Sequence, residues 1–381
     1  MRRDARAMPG TRALPVTKRI GVLTYDFYPF LGGQGRHVFE VWRRLRDCPE
    51  LELHVFSPAN NQLPGHHRAF PWTRSVGQYL GFSLLANLAI ERWARRYDID
   101  LFHVHGGPGG VLLLRRAPAP VLYTAHHTWA QQRALLSGAP SRRAMERLER
   151  RCCRLATRIA AVSESTKEWL LRAHAIDPSK VEVIPDGVDP SLLGCSASPR
   201  LPNSLLSVGR LEPRKGVPFL LDSLAVVARQ IPEVHLYLIG QGSLRRALER
   251  QVDALGIGEN VTFLGRVSDE ELAQWYNRVS AAVVPSVFEG FGLTAVEALA
   301  CGTPVIATRT DGLKELITDG ENGLLVEYGQ TEEMAAAICR LLLDEEARES
   351  MARNARESVS KLPSWDDVAH RLRELYLTLI D

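Results

Sequence analysis

Two glutamates eight residues apart, Glu289 and Glu297, sit in the stretch EGFGLTAVEALAC that ends at Cys301. Gly290 and Gly292 permit a tight turn that brings backbone N–H groups close to a ligand. The residues after Gly292 are good helix formers, and the apolar run ending at Val283-Val284 and stopped by Pro285 reads as a buried strand. A strand, a glycine turn and a helix start together form an anion site, with free N–H groups and the positive end of the helix dipole pointing one way. Carboxylates beside that site would repel phosphate, so Glu289 and Glu297 are read as facing the hydroxyls of a sugar or ribose. The plainer reading is a capped helix with two solvated glutamates. Arg210 and Lys215 flank a turn fixed by Pro213 and Gly216. A planar fork of donors and a point charge both suit a diphosphate; the plainer reading is a solvated basic loop. Together the four side chains favour a nucleotide diphosphate carrying a sugar. Gly240-Gln241-Gly242 after a strand lacks the third glycine of a dinucleotide fingerprint, and is read as a turn that lets a nucleotide approach the backbone. His126 and His127 follow the buried run Tyr123-Thr124-Ala125, where a catalytic and a structural reading weigh evenly. There is no Ser/His/Asp order and no HExxH to indicate a hydrolase.

These residues need elements to hold them. In the first half, apolar runs at 19–24, 51–57, 99–104, 121–124, 158–162 and 181–184 alternate with amphipathic stretches. Among the latter are a helix from about Gly35 and another over 76–97. In the second half the runs 204–208, 235–239, 260–264, 281–284 and 304–307 repeat the alternation. Long helices over 331–343 and 345–361 follow, then a last amphipathic helix from Ser364. Strands alternating with helices imply α/β architecture with parallel sheets, whose ligands sit at the carboxyl ends of the strands. A Pro- and Gly-rich stretch from Pro185 to Asn203 lacks periodicity and reads as a boundary. The expected organisation is a tail over 1–17, a first domain over 18–190, a linker over 191–203 and a second domain over 204–363.

At 381 residues the chain fits two domains, and 45% hydrophobic with 24% charged residues is ordinary globular composition. Six cysteines show no metal-finger spacing and read as reduced thiols of a cytoplasmic protein. No apolar run is long enough to span a membrane, and the basic N-terminus is no convincing signal peptide. The net charge of +3 hides an asymmetry: through Pro190 there are 28 Lys and Arg against 17 Asp and Glu, and the rest of the chain is acidic. Seven arginines (142, 143, 147, 150, 151, 154 and 158) fall in one helical stretch offset only by Glu146 and Glu149. A solvated helix face explains them; so does a surface for an anionic membrane or an anionic acceptor. Nucleic acid is disfavoured because no aromatics interleave with these arginines.

The motifs GGQGRH (32–37), TAH (124–126), SES (163–165), IPDGVD (184–189), GRLEPRKG (209–216), GQG (240–242), FLGRV (263–267) and EGFGLTAVEALACGTPVIAT (289–308) resemble the retaining glycosyltransferases of family 4. The resemblance covers nearly the whole chain after the tail. It implies the GT-B fold, two Rossmann-like parallel-sheet domains facing a central cleft, with the helix 364–381 crossing back to the first domain. It implies transfer of a hexosyl or N-acetylhexosaminyl group from a UDP-, GDP- or ADP-sugar to a hydroxyl acceptor, lipid-linked or anionic, in glycolipid, polysaccharide or glycoconjugate synthesis. By position it places Arg210 and Lys215 on the diphosphate, capped by the N–H groups of Leu293 and Thr294 after Gly292. Glu297 is placed on the ribose, Glu289 on the transferred sugar, and His126 near the sugar 6-hydroxyl. Gly33 approaches the diphosphate from the first domain; Gly240, Arg266 and Val267 lie toward the base. No cofactor is implied and no metal is expected, since protein cations face the diphosphate. The expected location is the cytoplasm or the inner face of the membrane. One departure is Asp186, where the family often has Asn, so an amide donor is lost. A nucleotide-sugar 2-epimerase of the same fold and a non-catalytic nucleotide-sugar-binding protein are the alternatives.

Overall fold

The computed structural model describes residues 17–75, 79–136, 140–189 and 200–381. The tail expected over 1–17 lies outside them apart from Thr17, as does the linker expected over 191–203 apart from 200–203. The first domain carries strands β1 (Lys18–Leu23), β2 (Leu51–Ser57), β3 (His66–Arg68), β4 (Leu101–Gly106), β5 (Val121–Ala125), β6 (Arg158–Ala161) and β7 (Val181–Val183). The second carries β8 (Ser204–Val208), β9 (His235–Ile239), β10 (Val261–Gly265), β11 (Ala281–Val284), β12 (Val305–Thr308) and β13 (Gly323–Val326). Every pairing between these strands is parallel, in the orders β3-β2-β1-β4-β5-β6-β7 and β10-β9-β8-β11-β12-β13. Helices cover both faces of such sheets, so central strands such as β4 (LFHVHG) and β5 (VLYTA) are buried at every position.

The order of strands decides where the site lies. In each sheet the sequence order of the parallel strands reverses once, between β1 and β4 and between β8 and β11. The loops at the carboxyl ends there diverge and leave a crevice. The loop after β1 leads to Gly33, the loop after β8 to Arg210 and Lys215, and the loop after β11 to Glu289 and Gly292.

Two strands escaped the sequence reading. β3 (HHR) is a polar three-residue edge strand, and β13 follows a helix of only one turn, Asp311–Lys314. Neither strand shows an alternation long enough to register. The final helix, Trp365–Ile380, starts with a Ser364–Asp367 capping box and packs on Gly33–Leu45 of the first domain. Trp365, Leu372 and Tyr376 share one apolar cluster with Ile20, Val22 and Trp42, each fully buried side chain contributing about 1.5–3 kcal/mol. Among the described residues no helix is long and apolar enough to cross a membrane. Cys48, Cys152, Cys153 and Cys339 are free thiols; Cys195 lies outside the described residues.

Candidate functional site

The crevice between the sheets has two lobes. The first, about 750 Å³, is lined by Gly33, Arg210, Lys215, Gly240, Arg266, Val267, Leu293, Thr294 and Glu297, among others. The second, about 440 Å³, runs past His126, Glu289 and Gly292 and shares Gly33, Arg210, Lys215, Leu293 and Thr294 with the first. All twelve residues singled out from the sequence thus line one continuous cleft, and the expected diphosphate ligands form the wall between its lobes.

That wall is electrostatically built. Lys215 Nζ lies 2.5 Å from Glu289 Oε1, which also accepts from Ser286 Oγ at 2.7 Å. The Arg214 guanidinium stands 3.6 Å from Glu289 Oε2. Burial alone would raise the Glu289 carboxyl, but Lys215 and then Arg214 outweigh it and hold it down to about 2. Burial likewise pushes the Lys215 ammonium down against the pull of Glu289. Arg210 pairs with Glu212 at 2.9 Å. Its Nε and the Thr294 hydroxyl are buried with no hydrogen-bond partner among the described residues, a cost that an anionic oxygen would relieve. Gly292, at φ +110°, starts the helix Leu293–Ala300. A side chain there would be strained and would meet Leu313 at 2.7 Å.

The loop after β1 is shaped by Asp26, whose carboxylate accepts from Leu31 N at 2.8 Å and Gly32 N at 3.0 Å. This sets the entry of the helix Gly33–Leu45. A Cβ on Gly33 would reach Leu293 Cδ1 at 3.3 Å, so any bulk here would narrow the passage between the domains. At the far end of the first lobe, Glu297 accepts from Tyr276 Oη at 3.0 Å. Burial raises its carboxyl, and Arg36 opposes this. Arg36 itself reaches Asp269 of the second domain at 3.0 Å. Arg36 and Arg214 stand inside the quoted motifs GGQGRH and GRLEPRKG, yet nothing but their spacing from the named residues marked them.

His126 belongs to a buried array. Its Nε2 lies 3.2 Å from His105 Nδ1, its ring packs edge-on against His37, and His37 Nδ1 meets Asp186 Oδ1 at 2.6 Å. Burial first, then neighbouring rings, push His126 and His105 well below the ordinary imidazole range, so both are neutral near pH 7. Asp186 therefore serves His37, a partner its sequence position did not reveal. His37, His126 and Asp186 are also the described residues whose potential ligand atoms gather closely enough for a metal ion, within 4.8 Å.

The two domains meet at Gly290. Its carbonyl accepts from Ser163 Oγ at 2.6 Å, and a Cβ there would lie 1.7 Å from the His126 carbonyl oxygen. Glu315 of the second domain accepts from Glu164 N and Ser165 N at the start of the helix Glu164–His174.

The arginine-rich stretch is the helix Pro140–Leu155, and one part of the sequence reading needs correction. Glu149 does not offset the arginines on its outer face, whereas Glu146 pairs with Arg150 at 3.9 Å. Glu149 is fully buried, accepting from Trp129 N and His174 Nε2, and Glu146 is buried beside Arg133. Arg142, Arg150 and Arg151 donate to backbone carbonyls.

Comparison with known proteins agrees with this architecture. Residues 31–192 match the family model described as Glycosyltransferase Family 4, and residues 196–358 match Glycosyl transferases group 1. The chain is 30% identical over 365 residues to an uncharacterized glycosyltransferase of Methanocaldococcus jannaschii, covering 93% of this chain and 97% of the relative. It is also 30% identical over 378 residues to a phosphatidyl-myo-inositol mannosyltransferase of Mycobacterium leprae, covering 95% and 97%. A sucrose-phosphate synthase structure from Thermosynechococcus elongatus superposes with a TM-score of 0.81 at 26% identity, covering 95% of this chain and 99% of that one.

Proposed function

The chain belongs to glycosyltransferase family 4 and is a glycosyltransferase of the GT-B type, and on that premise we propose that it moves a hexosyl group from a nucleotide-diphosphate sugar to a hydroxyl acceptor with retention of anomeric configuration. The observation that carries this reading is the wall shared by the two lobes. Arg210, Lys215 and the Gly292–Leu293 helix start converge there, where a leaving diphosphate would gather negative charge. The first lobe then takes the nucleoside, with Glu297 toward the ribose and the Arg266–Val267 backbone toward the base. The second takes the sugar, beside Glu289 and the neutral His126 ring, which donates a hydrogen bond from one nitrogen and accepts one at the other.

Retention needs either a carboxylate nucleophile or attack from the face the diphosphate leaves. The carboxylates that line the second lobe are Asp26, Asp186, Glu212 and Glu289. Each is committed, to backbone amides, His37, Arg210 and Lys215 respectively. This favours the second route, in which a departing phosphate oxygen takes the acceptor's proton while Lys215 and Arg210 hold its charge. Because these cations face the diphosphate, we propose that turnover requires no divalent ion. The test is to screen UDP-, GDP- and ADP-sugars by thermal shift, then to follow turnover of the best ligand by NMR. An α-linked product from an α-linked donor is expected. An inverted product overturns the retaining route, an epimerised free sugar nucleotide would indicate the 2-epimerase, and binding without turnover a binding protein.

A further inference from the structure

We propose that the outer face of the first domain formed by the helices Tyr79–Tyr97 and Pro140–Leu155 is a docking surface for an anionic lipid bilayer. The observation is a row of exposed leucines. Leu80, Leu84 and Leu88 recur every four residues along one side of Tyr79–Tyr97 and are 40%, 57% and 75% exposed. The opposite side of that helix, with Phe82, Ala86, Ile90 and Trp93, is buried in the domain core. Four-residue spacing aligns side chains on one face of a helix, so the three leucines form one stripe. The row continues at Arg92, which is exposed.

A band of cations flanks the stripe. Leu114 N donates to Asn87 Oδ1 at 2.7 Å, and Leu114 O accepts from Arg151 Nε at 2.6 Å. Both helices thus border the same strip of chain, and their outer residues flank it. On the second helix Arg143, Arg147 and Arg154 are exposed, while Glu149 turns inward and Glu146 is held by Arg133 and Arg150. An apolar stripe edged by arginines, whose nearby acids Glu91 and Glu146 are each paired with an arginine, is the pattern that lies in a bilayer interface: leucines enter the acyl boundary and guanidinium groups remain among anionic headgroups. A second copy of this chain is the less fitting occupant, since it would bury exposed arginines for which this face offers no free acid among the described residues.

The placement also bears on the reaction. Tyr79, at the start of the leucine-bearing helix, lines the second lobe of the cleft. A bilayer on the leucine row therefore lies beside the lobe assigned to the sugar, and an acceptor hydroxyl carried on a lipid would enter from that side. Docking itself does not depend on the transfer reaction, and the assay below contains neither donor nor acceptor.

The experiment is flotation of the purified chain with vesicles of phosphatidylcholine alone and with 30% phosphatidylglycerol, a composition on the order used to probe anionic-surface binding. The chain should float with the anionic vesicles and far less with the neutral ones, and 0.5 M salt, which shortens screening to roughly 4 Å, should weaken it. Each headgroup-facing arginine contributes about fivefold to partitioning. Arg143→Glu with Arg147→Glu should therefore cut anionic binding at least tenfold. Leu84→Glu with Leu88→Glu should cut it by about the same factor, with far-UV circular dichroism and Tm unchanged because both side chains are more than half exposed. Absence of flotation overturns the proposal. So does flotation that neither variant changes, or a dimer in sedimentation that the leucine variant dissolves.

Discussion

Replacing Lys215 with Met tests whether the charge on the wall between the lobes acts in turnover or only in folding. Met keeps the stem and removes the ammonium 2.5 Å from Glu289. In the wild type that ammonium and Arg214 hold the Glu289 carboxyl at about 2 against an ordinary value of 4.5. A depressed carboxylate stabilises the fold above its unfolded pKa and loses that contribution as pH falls through the folded one. The drop corresponds to at most about 3 kcal/mol at pH 7, and it fades between pH 4.5 and about 2. Urea unfolding should thus show Lys215→Met destabilised by up to that amount at pH 7, with the gap closing toward pH 3. Turnover should fall roughly 10²-fold, the scale of losing one stabiliser of transition-state charge. The double variant Lys215→Met, Glu289→Gln removes the uncompensated carboxylate. It should recover most of the stability and none of the turnover. An equal loss at pH 7 and pH 3 would refute the ion-pair account. Near-normal turnover in the single variant would refute the diphosphate role, whatever happens to stability.

The other expectations are briefer. Activity should survive EDTA undiminished; loss restored by Mg²⁺ or Mn²⁺ would show that the protein cations do not suffice. Glu297→Ala should raise the donor KM by about tenfold or more, the scale of a charged hydrogen bond, and change kcat less; an unchanged KM would remove Glu297 from the donor. Gly290→Ala drives a methyl group to 1.7 Å from the His126 carbonyl oxygen, so Tm should drop and activity vanish together, and a wild-type melting curve would contradict the contact.

The sequence exposed those parts of the site that lie where chain direction changes. Strand ends, glycine turns and helix starts leave local marks, and Arg210, Lys215, Glu289 and Glu297 were legible because each sits within a few residues of one. Contacts between residues far apart in the chain leave no such mark. Asp186 read as a lost amide donor, although its partner His37 stands 149 positions earlier in the chain. Glu149 read, with Glu146, as neutralising the arginine helix, because helical spacing alone does not tell which polar residues a neighbouring helix will cover. Glu149 turns inward to meet His174 and Trp129 N, and the outer face is left more basic than its composition implies. The leucine row was hidden for the opposite reason. Tyr79–Tyr97 carries apolar residues on its buried and exposed sides alike, so periodicity marks a helix but not two separate faces.

Gly290 explains why neither domain contains the site alone. The turn that carries Glu289 is held from below by β11 and from across the cleft by Ser163, which donates to the Gly290 carbonyl. The same glycine packs against the backbone of His126, so the donor turn and the histidine are placed by one contact. A bulkier residue there would push Glu289 away from Lys215 and His126 away from its array at the same time. The spacing of the two glutamates then follows from geometry: Glu289 precedes Gly290 and faces the second lobe, and Glu297, a turn into the helix that Gly292 starts, faces the first. Eight residues carry the chain from one lobe to the other across the wall where Lys215 and Arg210 stand. A variant lengthened by one residue between Gly292 and Glu297 would rotate Glu297 by about 100° around its helix. It would lose the Tyr276 hydrogen bond and the first lobe together while leaving the Lys215–Glu289 pair in place.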